Sequence, residues 1–206
     1  MSYDYARLFE KLIQVVAADG TITQRMHDVL EECSRQKPHP DWATFSNIDF
    51  EADAVRIDRW LSTAFGSRRA DNVTRGLWFG LVTLAIGSST TADMYVGGSP
   101  SFDAGNIAWA SDISPIDERN YLGSAVLHQI YTQAYREVNG SLGNNAEYPL
   151  ALAYGAIVSI RALTGECGLP SGLTSAVGAA TGFDSGDFLF LGTLEQRHFH
   201  KSVRAG

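Results

Sequence analysis

The stretch Gly76–Asp112, GLWFGLVTLAIGSSTTADMYVGGSPSFDAGNIAWASD, constrains the fold more than any other part of the chain. Its first portion, Leu77 to Ile86, is a continuous apolar run. Short apolar runs bounded by turn-forming residues read as strands, and one without polar alternation reads as covered on both faces. Gly87 to Thr91 then reads as a polar turn, Asp93 to Val96 as a short partner strand, and Ile107 to Ala110 as a third strand with Trp109 inward. Between the last two, Gly97-Gly98-Ser99-Pro100 is a break, because glycine and proline each take backbone conformations that interrupt a ladder.

Helices flank this sheet. Leu8, Leu12, Val15 and Val16 recur at three- and four-residue steps, which predicts a helix from Asp4 to Ala18, ended by Asp19-Gly20. A second helix from Thr23 to Ser34 would complete a hairpin, and a third is expected over Asp49–Phe65, beyond the helix-breaking Pro38 and Pro40. After the sheet, the spacing predicts a helix over Asp117–Val138, capped by Ser114 or Asp117, and another over Glu147–Leu163. The second of these is apolar nearly all round and must lie in a core. Phe188–Leu191 is expected to be the last strand, with His198 to Arg204 an exposed polar tail. Helices and strands are segregated, not alternating, so the fold class is α+β: a helical hairpin plus a third helix, a small mainly antiparallel sheet, and C-terminal helices packed on it. The 206 residues read as a single domain, with residues 1–66 as a possible helical subdomain and 67–206 as an α+β one.

Composition excludes several classes of function. The net charge is −7, which opposes binding to a phosphate backbone, since that needs a basic face to release counterions. No apolar run reaches the roughly 20 residues of a membrane span, and the N-terminus carries charges where a signal peptide is apolar. Two cysteines, Cys33 and Cys167, lie far apart without a metal framework. A cytoplasmic protein of a reducing compartment is the expectation, binding neither nucleic acid nor membrane.

Chemistry-bearing motifs are few. His198 and His200 form an H-x-H pair, but nothing nearby in sequence completes a metal site. Gly182-Phe183-Asp184-Ser185-Gly186-Asp187 places two carboxylates in one loop without the further ligands of a calcium loop, and reads more simply as a turn. Asp103, Asp112, Asp117 and Glu118 cluster after the Gly97-Gly98 turn and could include an acid and a base, or could be solvated loop charges. Phosphate loops, dinucleotide fingerprints and nucleophile elbows are absent from the sequence. No cofactor and no metal are expected.

Residues 77–118, with the Leu77-Trp78-Phe79-Gly80-Leu81 strand, the Tyr95–Gly98 turn, Phe102-Asp103 and Trp109-Ala110, together with Gly182–Asp187, resemble small cytosolic proteins encoded beside bacterial polymorphic toxins. The resemblance implies an immunity-type protein, which works by binding. The expectation is accordingly a non-enzymatic protein-binding module that masks a toxin through an acidic surface. Tyr95, Phe102, Asp103, Trp109, Asp112, Asp184 and Asp187 are its candidate binding residues. Two alternatives stand beside it: a carboxylate-dependent hydrolase, and a structural subunit whose apolar helix is buried against a second copy.

Overall fold

In the computed structural model the described residues are 3–67, 74–86, 89–116, 121–136, 142–165, 176–184, 186–196 and 198–206. The α+β class holds. The chain opens with α1 (Tyr5–Ala17) and α2 (Ile22–Gln36), each started by a side-chain cap: Asp4 accepts from the Arg7 amide and Thr21 from the Gln24 amide. The second cap is Thr21, two residues earlier than the sequence suggests. A single short turn, α3 (Trp42–Phe45), precedes α4 (Ala54–Ser67), which starts later than Asp49 because residues 50–53 form turns.

The sheet is larger than expected. Strands β1 (Gly76–Ile86), β2 (Ser89–Ser99), β3 (Ser114–Pro115), β4 (Leu122–Gly123), β5 (Val177–Phe183), β6 (Phe188–Glu195) and β7 (His198–Ala205) form one sheet in the order β3-β2-β1-β5-β6-β7, with β4 also on β2. All pairings are antiparallel except the central one, where Gly76–Leu81 of β1 runs parallel to Gly178–Phe183 of β5. A parallel pair needs a crossover, and here α5 (Ala125–Ala134) and α6 (Asn144–Thr164) supply it.

Several local expectations are corrected by this pairing. The partner of β1 is a full strand through Gly97 and Gly98, not the short Asp93–Val96, because the hairpin register continues to Gly76–Ser99. Ile107–Ala110 is not a strand. It is a 3-10 turn, Ile107–Ser111, started by the Asn106 side chain on the Ala108 amide, although Trp109 is buried as expected. The helix expected from Asp117 begins only at Ala125, since Leu122 and Gly123 are drawn onto β2 and Ser124, not Ser114 or Asp117, supplies the cap. Ser114 is itself in β3. The last expected strand extends to Glu195, and the supposed tail is the edge strand β7. Asp117, Glu118 and Cys167 lie outside the described residues.

Strand alternation divides the sheet. Leu77, Phe79 and Leu81 of β1, Ala92, Met94 and Val96 of β2, and Leu189 and Leu191 of β6 join the main core with the helices. Helix α6 runs through that core, with every residue from Pro149 to Ile160 buried. It packs on β5, β1 and β6 and on α1, α2, α4 and α5. An apolar helix enclosed in this way by its own chain needs no second copy to cover it, which removes the motive for the subunit reading. Two sequence details allow the fit. Pro149 cannot donate to the Asn145 carbonyl, and the Tyr3 hydroxyl donates to that carbonyl instead, at 3.0 Å. Gly155 admits Leu81, whose Cδ2 would lie 3.0 Å from an added Cβ.

The opposite face carries a smaller aromatic cluster. Trp78, Trp109 and Ala180 are buried there, with Tyr95, Phe102, Ile113 and Phe188 packed around them. The 101–113 segment folds over this face. Phe102 covers Gly178, where a Cβ would meet its ring at 2.2 Å, and stacks on Phe190 at 5.6 Å. Tyr95 similarly covers Gly80, where a Cβ would meet its ring at 2.0 Å. The glycines that seem to weaken these strands are slots for rings.

Candidate functional site

The β5–β6 turn, with the ends of β1 and β2 beside it, builds the site. The turn closes by the Phe183 amide on the Asp187 carbonyl and the Gly186 amide on the Phe183 carbonyl, both at 3.3 Å. This places Asp184 and Asp187 at the C-terminal end of β5. Because β1 is parallel to β5, the end of β1 lies at the same edge, and the N-terminus of α6 arrives there too. Leu81, Val82, Thr83, Asn144, Glu147, Tyr148, Phe183, Asp184, Gly186 and Asp187 line a cleft of about 400 Å³.

Among the described residues, the lining holds three carboxylates and no lysine or arginine. Each carboxylate has a tyrosine beside it. Tyr95 Oη donates to Asp184 Oδ1 at 2.5 Å and accepts from Trp78 Nε1 at 3.1 Å, so a hydrogen-bonded chain runs from the aromatic face into the cleft. Tyr135 Oη donates to Glu147 Oε2 at 2.5 Å. Tyr148 and Asp187 line the cleft together. Burial first, and then the adjacent carboxylate, push all three phenols up from 10.0, that of Tyr135 to about 12. They stay protonated throughout the neutral range. Tyr148 also stacks on Phe183, with ring centroids 5.9 Å apart and planes 23° from parallel. One wall of the cleft is thus an aromatic surface beside negative charge.

Of the residues singled out from sequence, Asp184 and Asp187 share this cleft and Tyr95 reaches it through Asp184. Phe102 and Trp109 lie together, 5.3 Å between centroids, on the aromatic face that Tyr95 also joins. Asp103 and Asp112 are elsewhere: Asp103 Oδ1 accepts from the Gly105 amide at 2.8 Å in a local turn, and Asp112 is an exposed residue closing the 3-10 turn. Glu147 and Tyr148 were not singled out, since at the start of an apolar helix they read as helix-starting residues. Their spacing from Asp184 in the chain carries no signal. Among the described residues no three His, Cys, Asp or Glu side chains are placed to hold a metal ion. No described helix is long and apolar enough to cross a membrane.

The cleft can hold a positive charge. Asp184 and Glu147 are held by phenols, and among the described residues no cation pairs with the three carboxylates, while the stacked Tyr148–Phe183 pair offers a ring surface to a guanidinium or ammonium group. Comparison with protein-family models, curated proteins and solved structures found no match to the chain.

Proposed function

We propose that the chain is a protein-binding module of the immunity type, which captures a basic segment of a partner in the acidic cleft at the end of β1 and β5. The observation that carries this reading is the set of Glu147, Asp184 and Asp187 around one cleft whose lining, among the described residues, contains no lysine or arginine. A lysine or arginine from a partner would supply the missing counter-charge, and the overall charge of −7 would speed the encounter. Tyr95 supports the reading as well, because it is only partly buried and reaches the site through Asp184. The test is co-purification with the product of the adjacent gene, followed by titration of the pair at rising salt. Binding that falls with salt, and falls again in Asp184→Asn and Asp187→Asn, supports the proposal. Salt-independent binding, or no binding, sinks it.

The hydrolase reading keeps one supporting observation, that Asp184 and Asp187 line the same cleft. Against it, Asp184 accepts the Tyr95 hydroxyl, an arrangement suited to holding charge and not to delivering a proton. Hydrolysis of a chromogenic glycoside that disappears in both variants would favour the enzyme.

A further inference from the structure

A second and larger cleft, about 840 Å³, lies at the other end of α6. It is bounded by the α1–α2 turn (Ala18 to Ile22), by Ile160, Arg161 and Thr164 of α6, and by Phe199 and Lys201 of β7, with Arg25 and Glu51 completing its lining. The volume falls within the range of small-molecule sites, about 300–1,000 Å³.

Arg25 is the residue that matters. It is only 7% exposed. Its Nη1 donates to the carbonyls of Val16 and Ala18, which ties it to the end of α1. Its Nε is buried and has no acceptor. Leaving a guanidinium donor buried and unmade is costly, so a partner for it is expected. Among the described residues no carboxylate comes within ion-pair distance of Arg25, whereas the other charges of the cleft are committed. Lys201 Nζ holds Asp19 Oδ1 at 2.8 Å, and Arg161 Nη1 holds Asp58 Oδ2 at 2.7 Å and the Ala54 carbonyl at 3.0 Å. Glu51 accepts from the Thr23 amide at the start of α2. Burial draws the Arg25 pKa down, outweighing Asp19 and Glu51, which act on it only from a distance.

We propose that this cleft binds a small molecule bearing an oxyanion, a carboxylate or a phosphate, received by the free side of the Arg25 guanidinium with Lys201 and Arg161 at the rim. A planar guanidinium presents paired donors that match either oxyanion. Arg25 also belongs to the wall, which pre-pays the ordering of a long side chain. The size of the cleft requires more than a bare ion, so the anion is one group of a larger ligand, whose remainder meets Ile160, Ile22 and Phe199.

The test titrates the protein at constant ionic strength with inorganic phosphate in one arm and citrate in the other, following amide shifts by NMR and the thermal midpoint. Saturable binding of either probe, with shifts around Gly20, Arg25 and Thr164, is expected, and the stronger arm names the ligand class. Arg25→Lys keeps the charge but removes the fork, and should weaken binding by about tenfold or more. Lys201→Ala, on an edge strand, keeps the test readable if Arg25→Lys does not fold, and should weaken binding by a few-fold. Asp187→Asn, in the other cleft, should leave it unchanged. Absence of saturation in both arms, or binding that ignores both Arg25→Lys and Lys201→Ala, overturns the proposal.

Discussion

The two clefts lie at opposite ends of one helix and carry opposite chemistry. Helix α6 has 21 residues, so they are separated by about 30 Å of buried helix. At its start, Glu147 sits in the first turn with Asp184 and Asp187 nearby. At its end, Arg161 sits in the last turn with Arg25 and Lys201 nearby. This is the arrangement the helix dipole favours, negative groups at the N-terminus and positive ones at the C-terminus. The clefts differ in how the charge is kept. The acidic one is held by phenols that donate to Asp184 and Glu147, the basic one by carbonyls and carboxylates that leave a single guanidinium edge unused. The difference teaches that a helix buried through its middle can organise two surfaces at its ends.

The comparison breaks most severely if α6 itself is loosened. Ile157→Ala empties a site that is 0% exposed and should cost about 2–5 kcal/mol in chemical denaturation. It should weaken ligand binding at both ends together. A second break is alkaline. Tyr95, Tyr135 and Tyr148 are raised in the folded state, so the stability they contribute is complete below pH 10.0, where the unfolded phenols begin to ionise. It is lost as pH rises from there through the folded values, about 12 for Tyr135. Ultraviolet difference titration should show delayed phenol ionisation followed by a cooperative loss of structure. Disruption should begin at the acidic cleft, where these phenols meet the carboxylates.

Smaller changes separate the two ends. Arg25→Gln removes the group tied to the end of α1 and should cost about 1–3 kcal/mol in urea unfolding. Its NMR shifts should spare Asp184 and Asp187. Tyr95→Phe deletes the hydroxyl between Trp78 and Asp184 and should cost about 1 kcal/mol. It should also soften the salt dependence of partner binding, without effect on the basic cleft. Smallest of all, Asp103→Asn alters only a local turn and should change neither stability nor binding measurably.

How far the sequence showed this arrangement depends on distance along the chain. The α1 stripe of Leu8, Leu12, Val15 and Val16 and the all-apolar α6 were legible, because periodicity is a local signal. Asp184 and Asp187 were legible as a pair since one turn carries both. Leu122 and Gly123 were not, because two residues drawn onto a neighbouring strand are decided by tertiary contact and leave no pattern. Strand β7 was missed because its exposed His198, His200 and Lys201 look like a solvated tail, and an edge strand is polar for the same reason. Arg25, Arg161 and Lys201 meet from three distant positions, which no spacing rule reports.

The parallel seam between β1 and β5 also governs the order in which the chain can be assembled. The β1–β2 hairpin leaves the ribosome with one flank of β1 open. Its permanent neighbour, Val177–Phe183, is still about eighty residues short of being made. At bacterial-to-eukaryotic synthesis rates of about 5–20 residues per second, that flank waits for seconds with unmatched amides and carbonyls. Ser89 to Ser99 can fold against it at once, but the sheet's other half cannot. The interval is the period in which the nascent chain is open to strand addition by another copy, and a slowed β1-to-β5 stretch would lengthen it without altering the finished protein.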